Sequence, residues 1–204
     1  MKLSLKPYAA AFGLYSLLVS PSFGATLAYL KGDDLHLLLK GSEGTIALVS
    51  HGVDQLEVKK DTVAFMRSGV LHAVSDLATG ESVRLAIAPE LVKVAEGTIA
   101  YIRNGGLYLV TDIASASVVR VADNVSDFAV AKGTLAYLRG ISLSVVSNMA
   151  TGESVRMTSG ATELQVVEGT IVFKKGSSLN MVTDIANGSF ERIAVGVGLV
   201  KIAD

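Results

Sequence analysis

A 36-residue period runs through the chain and limits its possible folds more than any other feature. Threonine recurs at this interval as Thr26, Thr62, Thr98, Thr134 and Thr170. An aromatic residue follows each threonine by three positions, and a lysine or arginine follows it by five. Self-similarity at a fixed period indicates a repeat architecture in which each unit packs on its neighbours. We expect one repeat domain over 25–204, with repeats beginning at residues 26, 62, 98, 134 and 170.

Each repeat contains four short runs that are typical of β-strands. In the third repeat they are "TIAYIR" (98–103), "LYLVTD" (107–112), "SVVRVA" (117–122) and "DFAVA" (127–131), which are rich in β-branched, aromatic and leucine residues. Glycine-containing turn signals separate the runs, and no run has helical periodicity. Several runs are apolar on successive residues, as strands covered on both faces are. The pattern predicts an all-β, five-bladed β-propeller made of four-stranded repeats.

The phase of the repeat predicts how the propeller closes. Tight turns group the strands into blades at 53–88, 89–124, 125–160 and 161–196, which leaves three strands at the N-terminus and one at the C-terminus. The closure strand, Leu199, Val200, Lys201, Ile202 and Ala203, is expected to pair with the strand that begins at Thr26 and to complete the fifth blade. Such pairing hides two exposed sheet edges. Donation of the same strand to the next molecule is the alternative.

The repeats resemble those of the TolB-like, WD-like β-propeller family. The resemblance rests on "IAYIRNGGLYLVTDIA" (99–114) followed by "VVRVAD" (118–123), and it extends over all five copies. It implies a propeller fold and a periplasmic or surface location. The Trp-Ser-Pro-Asp-Gly segment of that family is absent, and the family commonly has six blades where this chain has five.

The N-terminal segment has the layout of a secretory signal peptide. Lys2 and Lys6 precede an apolar run over 9–19, and Pro21, Ser22 and Gly24 follow it. We expect cleavage after Gly24 and export to the periplasm or the extracellular space. The alternative is an uncleaved anchor, although the run is short for a membrane span. No other segment is long and apolar enough to span a membrane as a helix.

The charges of the chain limit its partners. The formal net charge is −1, which argues against nucleic-acid binding. The most suggestive cations share one repeat position and would form a ring on one side of a closed propeller: Lys31, Arg67, Arg103, Arg139 and Lys175. Acidic turns are expected on the other side. The ring predicts an anionic ligand, a protein partner or head-to-tail self-association, and the plainer alternative is charge that keeps strand ends soluble.

A second series of cations falls in the outermost strands. It consists of Arg84, Arg120, Arg156 and Arg192. Charges on an edge strand discourage pairing with other chains, so we assign this series that role.

Few residues point to catalysis. His36 and His72 share a repeat position in adjacent blades, so they could lie close enough for a metal site, but two polar residues on a strand are the simpler interpretation. Asp76, Asp112 and Asp184 open turns that contain glycine or small residues, which is hairpin chemistry. The chain has no cysteine, which excludes disulfides and thiol catalysis.

We therefore expect a secreted, non-catalytic propeller that binds a protein partner or a ligand and needs no cofactor. The first alternative is a structural surface protein that polymerises head-to-tail or by donating its terminal strand. The second is a propeller enzyme of the hydrolase type.

Overall fold

The protein is built from β-strands alone in the part of the chain that is described. A computed structural model describes residues 26–39, 44–167 and 169–198, and every regular element in these ranges is a strand. The nineteen strands form five antiparallel sheets, each made of strands that are consecutive in the chain. The all-β class predicted from the sequence is confirmed. Within these ranges there is no helix long and apolar enough to cross a membrane.

The sheets are called first to fifth in chain order. The first sheet contains β1 (Ala28–Lys31), β2 (Asp34–Leu38) and β3 (Ile46–Ser50). The second contains β4 (Val53–Lys59), β5 (Thr62–Arg67), β6 (Val70–Asp76) and β7 (Glu81–Ile87). The third contains β8 (Leu91–Ala95), β9 (Thr98–Arg103), β10 (Gly106–Asp112) and β11 (Ser117–Ala122). The fourth contains β12 (Asp127–Ala131), β13 (Thr134–Arg139), β14 (Ser142–Asn148) and β15 (Glu153–Ser159). The fifth contains β16 (Ala161–Val167), β17 (Thr170–Lys175), β18 (Ser178–Asp184) and β19 (Ser189–Val195).

The second to fifth sheets repeat one plan, a four-stranded meander that starts at its inner strand. The inner strands β4, β8, β12 and β16 contact one another in that order, so successive sheets stack face to face along one edge. This is the arrangement of blades in a β-propeller. The four blades predicted at 53–88, 89–124, 125–160 and 161–196 coincide with these four sheets, and that prediction is confirmed.

Two-residue turns set the register between the second and third strands of a sheet. Asn104 and Gly105 have φ angles of 49° and 68°, and Ser68 and Gly69 have φ angles of 50° and 73°. Positive φ at both positions is the mark of a type I′ turn, whose twist matches that of the two strands. The turn places Arg103 opposite Gly106 at the end of the β9–β10 ladder.

The core is divided into four apolar clusters, one between each pair of successive sheets. Side chains alternate across a strand, so Ile99 joins the cluster shared with the second sheet and Ala100 joins the cluster shared with the fourth. Both residues are fully buried. Packing on both faces explains why these strands are apolar on successive residues.

The repeated threonine joins neighbouring sheets. The Thr62 hydroxyl oxygen accepts a hydrogen bond of 2.7 Å from the backbone N–H of Gly97, in the turn between β8 and β9. The Thr26 hydroxyl donates to a carboxylate oxygen of Asp61 at 2.9 Å, in the equivalent turn of the second sheet. Thr62 is buried, so its hydroxyl needs such a partner. At these two positions the repeated threonine therefore links one sheet to the next.

The first and fifth sheets end the stack. No apolar cluster joins them among the described residues. Leu27 is 53% exposed, whereas Val63, Ile99 and Leu135 at the same repeat position are 0% exposed. The face of the first sheet that points away from the second is therefore uncovered, and the described residues do not form a closed ring.

Two predictions concern residues outside the described ranges. They are the signal peptide over 1–24 and the closure strand over 199–203. The three-stranded first sheet does agree with the predicted phase, in which the inner strand of that blade comes from elsewhere.

Candidate functional site

The five cations singled out in the sequence occupy one structural position. Each ends the strand before a two-residue turn, and each side chain is exposed: Lys31, Arg67, Arg103, Arg139 and Lys175. The turns that follow lie on one side of the stack, so the cations form a row across that side. We call them the cationic row and this side the cationic side. None of the five forms a salt bridge with a described residue.

Two members of the row lean toward the preceding sheet. Arg67 donates a hydrogen bond of 3.3 Å to the Ser50 hydroxyl, and Lys175 donates one of 2.9 Å to the Thr158 hydroxyl. The Lys175 ammonium also lies 5.8 Å from the centre of the Phe190 ring. The other three cations form no hydrogen bond with a described residue. Their charged groups are therefore directed to solvent and can meet an anionic partner.

Carboxylates also lie on the cationic side, at strand ends and in the connections between sheets. Asp123 pairs with Arg120. Asp34 lies 2.7 Å from His51 Nδ1. Asp54 accepts a hydrogen bond of 3.0 Å from the backbone N–H of Ser68. The cationic side is thus mixed in charge, and the row is distinguished by its regular position and by having no ion pair with a described residue.

The opposite side of the stack is not uniformly acidic, so the expectation of one basic and one acidic side is wrong. Its outer turns carry Asp76, Asp112 and Asp184, as predicted. The charges at its inner turns alternate in sign through the second, third and fourth sheets, as Lys60, Glu96 and Lys132. The two carboxylate oxygens of Glu96 pair with Lys132 at 2.7 Å and with Lys60 at 2.6 Å. These hydrogen bonds, first that of Lys132 and then that of Lys60, lower the pKa of Glu96. Opposite charges at the inner turns keep this side from being uniformly acidic.

The two histidines do not converge. His72 stacks on Phe65 with ring centres 5.2 Å apart, and His36 stacks on Tyr29 at the same distance. Phe65 packs on the face of the first sheet that carries Leu35, whereas His36 is on the other face of that sheet. The first sheet therefore separates the two imidazoles, and the metal site considered from the sequence is not formed.

The surroundings of His72 lower the pKa of its imidazole. Burial lowers its pKa, and the positive charges of Arg67 and Arg84 lower it further. A neutral ring fits the stack on Phe65. Tyr108 takes the equivalent place in the third sheet and stacks on Tyr101, also at 5.2 Å. The position is therefore one of aromatic stacking.

The aspartates of the outer turns are engaged in turn structure. A carboxylate oxygen of Asp76 accepts from the backbone N–H of Ala78 at 2.7 Å, and one of Asp184 accepts from that of Asn187 at 3.1 Å. Hydrogen bonds from Ser115 lower the pKa of Asp112, and those from Asn187 lower the pKa of Asp184. The prediction of hairpin chemistry is confirmed. Across the described ranges, no group of three or more His, Asp or Glu side chains is placed to hold a metal ion.

The second cation series lies in the outermost strands, as predicted. Arg84, Arg120 and Arg156 are exposed and pair in register with His72, Tyr108 and Ser144 of the adjacent strands. These arginines offer a control set of equal charge for experiments on the cationic row.

Sequence reasoning missed one feature, a cavity between the second and third sheets. It is lined by Glu57 and Glu90 with apolar residues that include Met66 and Val92. The available signal was a change in residue type at two repeat positions, where Glu57 corresponds to Lys93 and Val92 corresponds to Phe128.

Comparisons with known proteins identify the fold and no closer relationship. The sequence matches no protein-family model and no curated protein sequence. The structure is similar to PorZ, a bacterial surface component of the type-IX secretion system of Porphyromonas gingivalis, with a TM-score of 0.52 and 14% sequence identity over 83% of this chain. PorZ shares the β-propeller-type fold. The match covers only 26% of the PorZ chain.

Two weaker similarities were also found. The N-terminal domain of Nup159 matches with a TM-score of 0.49 and 14% identity, over 82% of this chain and 57% of that domain. Hsv2 of Kluyveromyces lactis matches with a TM-score of 0.49 and 14% identity, over 80% of this chain and 60% of Hsv2. The chain thus spans less than two thirds of each of these structures. The comparisons neither confirm nor contradict the TolB-like resemblance.

Proposed function

We propose that the protein is an exported, non-catalytic interaction module that binds a protein partner or an anionic ligand through the cationic row. The observation that carries this proposal is the row itself, five exposed cations at one repeat position without a salt bridge to a described residue. Repeated placement on a rigid set of sheets gives a surface on which several weak charge contacts act together. Charge complementarity of this kind raises association rates and selects acidic partners.

Two further points support a binding role over an enzymatic one. Catalysis requires groups that converge on a substrate, and the two histidines with the best prospect are separated by a sheet. The acidic turn residues are hydrogen-bonded within their own turns. The proposal includes export by the N-terminal segment, and N-terminal sequencing of secreted protein is expected to begin at Ala25.

The cationic row is tested by charge reversal with a matched control. The protein is expected to be retained on immobilised poly-glutamate and to be released by added salt, since salt screens exposed charges. Reversal of Arg67, Arg103 and Arg139 to Glu should abolish retention with little loss of stability, because an exposed charge seldom contributes more than about 1 kcal/mol.

The control reverses Arg84, Arg120 and Arg156 to Glu, an equal change in net charge on the outermost strands. It should weaken retention only slightly. Equal loss in both triple variants would show that net charge, and not the row, causes binding. Retention of the row variant at the wild-type level would refute the proposal.

A second candidate function is self-assembly, and the uncovered faces at the two ends of the stack favour it. Leu27, just before β1, and Ile46 and Leu48 of β3 are exposed. Ile193 is exposed in the fifth sheet, although Val121 and Met157 at the same repeat position are partly or fully buried. The two ends are the two halves of an interface that the chain already forms four times. The fifth sheet of one copy is therefore suited to the first sheet of another.

The closure strand belongs to the same candidate. β1 is an edge strand of the first sheet. In the other four sheets an inner strand pairs with the strand equivalent to β1, and that place beside β1 is open among the described residues. We propose that residues 199–203 fill this place, in the next copy for an assembling protein or in the same chain for a closed ring. Burial of Val200 and Ile202 would contribute roughly 1.5–3 kcal/mol each, in addition to the strand hydrogen bonds.

Deletion of residues 199–204 separates the two forms of pairing. If the strand is donated, the wild type is an oligomer by light scattering, and the truncated protein is a folded monomer that reassembles when the peptide "GVGLVKIAD" is added. If the strand closes its own ring, truncation unfolds or aggregates the protein. A monomeric wild type whose melting temperature is unchanged by the truncation would exclude both.

A further inference from the structure

A cavity lies between the second and third sheets, at a place that side chains fill in the next interface along the chain. Two adjoining cavities of about 160 and 260 Å³ share the residues Gln55, Met66, Glu90, Leu91 and Val92. The inner part also reaches Glu57, Ala64 and Leu71, and the outer part opens at Asp54 and Gly69 on the cationic side. Its floor is apolar, and carboxylates stand at its wall and mouth.

The next interface along the chain shows what fills this place elsewhere. Between the third and fourth sheets, Phe128 is fully buried against Ala100, Ile102 and Leu107. The Lys93 side chain reaches from β8 to β12 and lies over the Phe128 ring. Its ammonium lies 4.9 Å from the centre of the Phe128 ring and 3.2 Å from a carboxylate oxygen of Asp127, and it donates to the Phe128 carbonyl.

The cavity exists because two residue types change in the equivalent interface. Val92 replaces Phe128, while the opposing wall is nearly the same, with Ala64, Met66 and Leu71. Glu57 replaces Lys93, so a negative group stands where the other interface has its own ammonium. The interface between the second and third sheets thus lacks both the apolar ring and the cation that fill the interface between the third and fourth sheets.

The charges around the cavity are not neutralised within the described chain. The side chains of Glu57 and Glu90 form no hydrogen bond or salt bridge to a described residue, and Asp54 has only the backbone N–H of Ser68 at 3.0 Å. Arg67, the nearest member of the cationic row, contacts Ser50 of the first sheet. Three carboxylates beside an apolar recess attract a cation with an apolar body.

We propose that this cavity binds a primary ammonium group on a short apolar stem, in the place that Lys93 and Phe128 fill in the neighbouring interface. The apolar stem lies on Met66, Leu71 and Val92, and the ammonium meets Glu57 with support from Glu90 and Asp54. The same chemistry is carried by a lysine side chain of a partner and by a free organic amine. The site is independent of the cationic row.

The full chain is titrated with three probes and followed by ligand-observed NMR. The probes are 2-phenylethylamine, its neutral analogue 2-phenylethanol, and N-acetyl-lysine amide. We expect millimolar binding of at least one amine, as is usual for ligands of this size, and no detectable binding of the alcohol. Tighter binding of the lysine derivative points to a partner's side chain, and tighter binding of 2-phenylethylamine points to a free amine. Failure of both amines, or equal binding of the alcohol, would overturn the proposal.

Two variants locate the site. Val92→Phe should abolish binding, because it introduces the side chain that fills the equivalent recess, and the similar walls indicate that the ring can be accommodated. Glu57→Gln changes an exposed side chain, keeps the fold and should weaken binding about threefold. Glu153→Gln, an exposed change on the opposite side, is the control and should leave binding unchanged. Undiminished binding to Glu57→Gln or to folded Val92→Phe would place the amine elsewhere and overturn the assignment.

Discussion

Residues 26–30 and 134–138 have the same sequence, TLAYL, in the first and fourth sheets. In the fourth sheet all five residues are buried, with Leu135 at 0% exposure, whereas Leu27 and Leu30 in the first sheet are 53% and 38% exposed. The last three residues are strand in both sheets, whereas Thr26 and Leu27 lie just before β1 and Thr134 and Leu135 lie within β13. The difference is that the fourth sheet packs between two others and the first packs on one. In a stacked repeat protein, burial depends on the neighbouring repeats as much as on the residue.

The largest expected effect tests this comparison directly. Leu135→Ala should lower the free energy of unfolding by about 2–5 kcal/mol, because it opens a cavity in a packed interface. Leu27→Ala removes the same atoms from a half-exposed position and should lower it by less than about 1 kcal/mol in the monomer. Urea denaturation of both variants at low protein concentration measures the difference.

A different result would be informative. Equal losses in the two variants at low concentration would show that the first and fifth sheets pack together within one chain. If Leu27→Ala instead leaves the monomer stable but weakens self-association, the uncovered face is an interface between copies.

A second comparison uses two glycines at one repeat position in the same two sheets. Gly44 and Gly152 have φ angles of 74° and 75°. A Cβ at Gly152 would lie 2.8 Å from Val119 Cγ1 of the third sheet, whereas a Cβ at Gly44 would meet nothing within 4 Å. Both changes to Ala incur the left-handed backbone cost of about 1 kcal/mol. Gly152→Ala should lose about 1–3 kcal/mol more, because a well-packed contact is overfilled.

Thermal and chemical denaturation of the two glycine variants measure this difference. Gly133→Ala, which has a φ of 66° and no atom within 4 Å of the added Cβ, is a further control for the backbone cost alone. If Gly152→Ala behaves like these two, the outer turn of the fourth sheet does not pack on the third as described.

The smallest expected effect concerns pH. The pKa of His72 is lowered in the folded protein, first by burial and then by Arg67 and Arg84, from an ordinary value of 6.5. Above pH 6.5 the ring is neutral in both states and contributes nothing. As the pH falls below 6.5, the unfolded chain takes up the proton first, so stability decreases until the folded-state pKa is passed. His72→Tyr, which copies Tyr108, should remove this part of the decrease.

The matched control for pH is His36→Tyr in the first sheet. It leaves His72 in place, so the contribution of His72 should remain when stability is measured between pH 7.5 and pH 5. An identical pH profile for wild type and His72→Tyr would contradict the assignment of that contribution to His72.

Much of the fold was predictable because it depends on local chemistry that recurs. Strands such as β9 and β13 follow from runs of apolar and β-branched residues, and the turn at Asn104 and Gly105 follows from residues that accept positive φ. The 36-residue period then places equivalent residues at equivalent positions, which correctly put the cationic row on one side. The sequence also suggested the acidic outer turns, since an aspartate at the start of such a turn can accept hydrogen bonds from the backbone N–H groups of the turn.

Contacts between different repeats could not be predicted in this way. The inner turns were expected to be acidic, but Glu96 is paired with Lys60 and Lys132 from the two neighbouring sheets. His36 and His72 were considered as a pair because they share a repeat position. That shared position makes them point in the same direction from successive sheets, so a whole sheet lies between them.

The amino-acid sequence by itself determined the period, the strands, the turns and the division into blades, because each of these depends on residues close together in the chain. The tertiary structure decided which faces are covered, which charges are paired and where the cavity between Glu57 and Val92 opens. Each of these depends on two surfaces brought together from different repeats. The same TLAYL sequence is therefore buried throughout in the fourth sheet and partly exposed in the first.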